Sequence, residues 1–312
     1  MRVTSSQSFV RGAIILTIAA AVSRALGAVY SIILPRVIGP DGFGLFQMAY
    51  PVYNIIFFLA AGGLNVAISK LVAEKLTLGD RRGALRVFRT SFFVLALLGL
   101  VSSLGLYLGA NFVAAEVMGD PLAAPSIAAI SPAIFFVAVM AAFRGFFQGM
   151  QRMEPTAHSQ VIEQIVRVST MFVLAYLLLP KGVEMAAAGA AFGAVTGAVA
   201  GLFFLIFLFA RERLRWRRTT LREGRGSGED LIELVKRLAA LAIPISLAGI
   251  ILPIIQFADA AIVPSQLQVA GHPVDEARAL FGFLAMGFKV VFMPTIVTAA
   301  LSMSLVPADR KS

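Results

Sequence analysis

The chain has 312 residues, 59% of them hydrophobic and 14% charged, with a mean hydropathy of +0.86. That balance excludes a soluble domain and implies an all-α polytopic membrane protein. There is no cysteine, which excludes disulfides, thiolate metal sites and cysteine nucleophiles. The formal charge of +10 would suggest a nucleic-acid partner in a soluble protein, but its distribution along this chain suggests a topology signal and no nucleic acid.

A bilayer core of ~30 Å takes roughly 20 apolar residues per helix. Eight stretches reach that length, at residues 9–34, 44–69, 88–110, 122–147, 155–179, 183–209, 238–263 and 279–306. The first is too long for the apolar region of a signal peptide and ends in no convincing cleavage site, so it is read as an uncleaved span. The connections facing one way hold Arg2 and Arg11, the cluster from Lys70 to Arg89, Arg144 and Arg152, the arginines of 211–237, and Arg310 with Lys311. Those facing the other way hold only Arg36, Lys181 and Arg278. The bias alternates at every crossing, which predicts a multi-pass protein of the cell membrane with both termini cytoplasmic.

The interval 211–237 is the longest polar stretch, and Gly224, Gly226, Ser227 and Gly228 loosen its middle. It divides the chain into a six-helix first lobe at 1–210, a basic cytoplasmic connector at 211–237, and the first two helices of a second lobe at 238–312. Its arginines are expected to lie against anionic membrane lipids.

Charge also falls where lipid should be. In the fifth span Pro155 suits a first helical turn. Thr156, Gln160, Glu163 and Arg167 follow at spacings of four, three and four, on one face. Arg167 then lies ~18 Å beyond Pro155, near mid-membrane. Thr17, Arg24, Gly27 and Ser31 share a face of the first span, with Arg24 near mid-depth. Lys289 is ~15 Å into the eighth span. Asp259 lies towards the outer end of the seventh, which Pro244 and Pro253 make irregular.

Each mid-bilayer charge costs about 2.5–3.5 kcal/mol on insertion scales, so these residues should face a polar interior. The deep cations outnumber the anions, which suits an anionic ligand, and arginine suits phosphate in particular. Arg24, Lys289, Arg167, Glu163 and Arg144 are the candidate substrate-binding residues. Plainer readings stand beside these. Glu163 and Arg167 at i,i+4 form a structural ion pair as readily as a ligand contact, Arg144 at the rim of the fourth span marks the membrane surface, and Asp259 snorkels outward. His158 serves as a polar residue near the surface. His272, with Asp275 and Glu276, is too loose a cluster for a metal site. No catalytic base, cofactor or metal set is expected.

At these residues the chain resembles a known family. FRGFFQGMQRMEPTAHSQVIEQIVRV is similar to the fourth-to-fifth helix segment of the stage V sporulation protein B family, which includes MurJ-type lipid II flippases of the multidrug/oligosaccharidyl-lipid/polysaccharide exporter superfamily. SRALG at 23–27, AAGGLNVAISKLVAE at 60–74, FADAAIVPSQLQVAG and ALSMSLVPA resemble it as well. The resemblance implies two six-helix lobes around a cationic cavity, alternating access, and export of an undecaprenyl-pyrophosphate-linked sugar. It implies cavity-lining roles for Arg24 and Lys289, and a sodium site, or proton coupling, at Asp259. Relatives continue for several helices beyond LVPA, so a truncated frame or a fragment is expected. The expected function is therefore flipping of a lipid II-like, polyprenyl-pyrophosphate-linked precursor for cell wall, polysaccharide or sporulation. The alternatives are a drug/cation antiporter of the same superfamily or an inactive fragment, while a membrane-embedded transferase lacks the base or metal set it would need.

Overall fold

The computed structural model describes residues 2–220 and 230–291. The side chains of residues 2–13, of Arg24 and of Lys289 lie outside that description, as do residues 292–312. Every regular element among the described residues is helical.

Helix α1 runs Arg2–Ala61 and contains the first predicted span and most of the second. The connection expected at 35–43 shrinks to one kinked residue, Gly39, at φ 72°. Only glycine takes that left-handed conformation without cost, and Pro40 behind it opens the next helical arm, where its missing N–H goes unneeded. That second arm breaks after Ala61 and resumes as α2, Leu64–Thr77. Helix α3, Arg81–Phe112, starts at Asp80, whose carboxylate accepts a 2.7 Å hydrogen bond from the Gly83 N–H.

The fourth span is α4, Ala124–Ile130, continued by α5, Pro132–Gly149. The fifth is α6, Glu154–Leu178, and the sixth is α7, Val183–Thr220. The seventh is broken into α8, Leu231–Gly249, and α9, Ile251–Val269, bent by 45°. Pro244 and Pro253 flank the break, as a proline-induced interruption of the hydrogen-bond ladder requires. Helix α10, Val274–Val291, begins five residues before the predicted eighth span at 279.

Among the described residues, five helical stretches are long and apolar enough to cross a bilayer, and the bent α8–α9 pair makes a sixth; the first stretch, Ile14–Thr77, holds both arms of α1 together with α2. The chain is an all-α, multi-pass membrane protein.

Helices α6 and α7 pack closely for a reason visible in the sequence. Gly189, Gly193, Gly197 and Gly201 recur every fourth residue along α7. A Cβ on Gly193 would lie 2.7 Å from the Arg167 carbonyl oxygen, and one on Gly197 2.6 Å from that of Glu163. Such small-residue stripes let two helix backbones meet where no side chain would fit. The stripe thus presses α7 against α6 at the turns that carry its charges.

A reporter fused at His272, between α9 and α10, is expected to read as external, and one at Glu154, at the start of α6, as cytoplasmic. Both reading from one side would break the alternation of basic connections.

Candidate functional site: a buried guanidinium–carboxylate cluster

The face predicted on the fifth span is intact on α6. Thr156 and Ser159 are buried, and Glu163 and Arg167 side chains are only 12% and 16% exposed. The Arg167 guanidinium donates to Glu163 Oε1, the i,i+4 pair expected from the spacing. Arg144 departs from its plainer reading as a surface marker. From α5 it turns inward, 13% exposed, and donates to Glu163 Oε2 at 2.8 Å and to the Ser159 hydroxyl at 3.1 Å. One carboxylate therefore serves two guanidiniums.

The opposite wall comes from α1. The charge of Arg167 reaches the phenols of Tyr30, Tyr50 and Tyr53. Gly27, on the polar face of the first span, lies against Gln164 of α6, whose amide nitrogen would be 3.8 Å from a Cβ there. Ser31 on the same face is buried and donates to the Gly27 carbonyl at 3.0 Å. The backbone of Arg24 is one turn from that contact. Four buried polar atoms around the cluster have no hydrogen-bond partner among the described residues: Arg167 Nε, Gln160 Oε1, Thr156 Oγ1 and the Tyr50 hydroxyl. Buried polar atoms generally find a partner, so this is a place where water or a polar ligand group would be accepted.

The other candidates lie elsewhere. Asp259 on α9 is half-buried and has no ion pair or hydrogen bond among the described residues. His272 pairs with Glu276 at 3.2 Å on the surface, and the His158 ring lies 6.3 Å from that of Phe204. Lys289 is on α10, with its side chain outside the description.

One charged contact was not anticipated. Arg278, read as a loop cation, is 8% exposed and grips Asp120 through Nε at 2.5 Å and Nη2 at 3.1 Å. Asp120 is itself 1% exposed and also accepts from the Leu122 N–H at 3.1 Å. At the same end, a Cβ on Gly282 would lie 2.3 Å from the Pro40 carbonyl oxygen, so α10 crosses α1 at backbone contact. At the other end Arg237 of α8 makes a two-pronged contact with Glu74 of α2, at 2.9 and 3.0 Å.

The sequence pattern of the polysaccharide biosynthesis protein family matches residues 9–309. The chain belongs to that family. Among curated members, it is 33% identical over 307 residues to stage V sporulation protein B of Bacillus subtilis, a match covering 97% of this chain and 58% of that protein. It is 28% identical over 318 residues to the lipid II flippase MurJ of Bacillus subtilis, covering 98% of this chain and 58% of that one. The chain thus spans little more than half the length of these family members. Its helical arrangement is similar to solved transporter structures. One is a MATE in complex with MaD5, with a TM-score of 0.63 and 18% identity, covering 97% of this chain and 76% of that one. Another is a multidrug/oligosaccharidyl-lipid/polysaccharide superfamily transporter from Pyrococcus furiosus, with a TM-score of 0.62 and 18% identity, covering 95% and 68%. Family membership and fold agree with the resemblance that the motif around Arg144 and Arg167 first suggested.

Proposed function

We propose that the chain works in flipping a polyprenyl-pyrophosphate-linked cell-wall or polysaccharide precursor across the membrane. The observation that supports this most is the sharing of Glu163 by Arg144 and Arg167. Within a low-dielectric interior, one carboxylate neutralises one guanidinium, and a net positive charge remains beside four polar atoms that have no partner among the described residues. A pyrophosphate group matches that charge, and its oxygens would accept from Arg167 Nε and from the Thr156 and Tyr50 hydroxyls, while Gln160 Oε1, an acceptor, would need water or a sugar hydroxyl. The polyprenyl tail would stay in lipid. The arrangement is proposed as two lobes, residues 1–210 and 238 onward, joined by the basic connector at 211–237.

In this reading Arg24 from the first lobe and Lys289 from the second clamp the pyrophosphate across the cavity. Asp259 takes the coupling sodium ion or proton. Arg24→Ala in the whole protein is expected to abolish export at unchanged membrane abundance. Arg24→Lys, which keeps the charge and loses the fork, should fall only partway, and Arg36→Ala should be silent. Surface labelling of lipid-linked precursor in cells making each variant reads this directly. Wild-type labelling with Arg24→Ala would remove the clamp.

A further inference from the structure

A cleft of about 280 Å³ opens on the outside of the helix bundle, lined by Phe88, Arg89, Phe92, Phe93 and Phe143. It is remote in character from the α6 cluster, being aromatic with one cation. Its floor is built of packed rings: Phe88 packs on Phe209 at 4.3 Å and on Phe143 at 5.1 Å, and Phe143 meets Phe92 at 6.0 Å. Phe93 forms an open wall, 69% exposed.

The depth of this cleft is fixed by α3. That helix has 32 residues and is ~48 Å long, well beyond the ~30 Å hydrocarbon core. Its excess lies at the start, where Arg81, Arg82, Arg86 and Arg89 fall within nine residues. After Arg89 the next charged residue is Glu116. Arg89 is therefore the last charge before hydrocarbon, at the level of the lipid phosphates, and Phe92 and Phe93 begin the acyl region one turn deeper.

The surface below continues the theme. Arg89, Phe93, Leu97, Leu100, Leu104 and Leu108 follow at spacings of four, four, three, four and four, and all are exposed along one face of α3. Arg89 makes no ion pair or hydrogen bond with another described residue. A guanidinium over an aromatic notch over an aliphatic track is complementary to an anionic amphiphile lying along the helix, with its phosphate at the top and one chain beneath.

The geometry points to a specific site for an anionic phospholipid, its phosphate on Arg89 and the upper part of one acyl chain between Phe88, Phe92, Phe93 and Phe143. A flat bilayer-facing helix collects lipid without preference; this notch selects for negative charge, because the cation and the groove are held at one depth. Attraction of an anionic headgroup by one such residue corresponds to about a fivefold preference.

The chain carries its own reporter. Trp216 is its one tryptophan, and its ring is 5.6 Å from Phe146, which is 5.2 Å from Phe88. Residues 1–312 are placed in vesicles containing phosphatidylglycerol or phosphatidylcholine with acyl chains brominated near the carbonyl, and quenching of Trp216 is titrated. Brominated phosphatidylglycerol is expected to quench at about one fifth the mole fraction that the zwitterionic lipid requires. Arg89→Gln should bring the two titrations together, and Phe93→Ala should weaken both. Lys181→Gln, a matched charge loss on an exposed residue at the opposite end of the bundle, should leave the preference intact. Both arginine and phenylalanine are exposed, so neither substitution threatens the fold, and circular dichroism checks that. Equal quenching by the two lipids in the unaltered protein, or a preference that survives Arg89→Gln, would overturn the site.

Discussion

Glu163→Gln is expected to be the most destabilising single substitution in the α6 cluster, worse than loss of either arginine. Removing one partner of a buried pair typically costs about 3–5 kcal/mol, because the other charge is stranded. Here one carboxylate holds two guanidiniums, so its loss strands both Arg144 and Arg167 against α1 and its tyrosines. Arg167→Gln, by contrast, leaves Glu163 still paired with Arg144 at 2.8 Å and Arg144 still bonded to Ser159. The double variant Glu163→Gln, Arg167→Gln leaves one guanidinium with one polar partner and should recover part of the loss. Thermal unfolding in detergent ranks the four proteins. A double variant no better than Glu163→Gln alone would mean that Arg167 is not stabilised by the carboxylate. A double variant that is stable yet inactive in export would place the pair in contact with cargo.

The second large effect concerns Arg278 and Asp120. Arg278→Gln should lower stability by about 3–5 kcal/mol, since Asp120 is left buried with only the Leu122 N–H. Asp120→Asn keeps a side-chain oxygen for that N–H and should cost less than Asp120→Ala. Combining Asp120→Asn with Arg278→Gln should cost less than the sum of the single changes, because both remove the same contact. The same unfolding assay measures the coupling, and strict additivity would show that the two side chains do not depend on each other.

The contrast between these two sites shows what could be read in advance. The α6 face was legible because its polar residues share one helix, and the period of 3.6 alone places Glu163 beneath Arg167. The inward turn of Arg144 was not, because no spacing relates the face of α5 to the face of α6. Asp120 and Arg278 are 158 residues apart, and sequence placed Arg278 simply in a connection between spans. Only the crossing of α10 over α1 brings them together. The first connection was misjudged for a local reason: Gly39 turns the chain within one residue, and Pro40 restarts the helix at once. The glycine stripe on α7 needed no structure at all, since its four-residue period is plain in GAAFGAVTGAVAG. Hydropathy hides it, because alanine and valine around the glycines read simply as apolar.

That stripe limits how the protein can move. With backbones in contact at successive turns, α6 and α7 cannot slide past each other by less than a full turn of about 5.4 Å without driving a Cβ into a carbonyl oxygen. The two helices, and the charges carried on one of them, therefore travel as a single rigid plank. The flexible joints have to be sought elsewhere, at the one-residue kink of Gly39 and at the proline-flanked bend between α8 and α9. An extra methyl group at Gly197 would then act as a wedge against the Glu163 carbonyl oxygen at 2.6 Å and the Arg167 Cβ at 2.8 Å, parting the plank and re-aiming the Arg167 guanidinium.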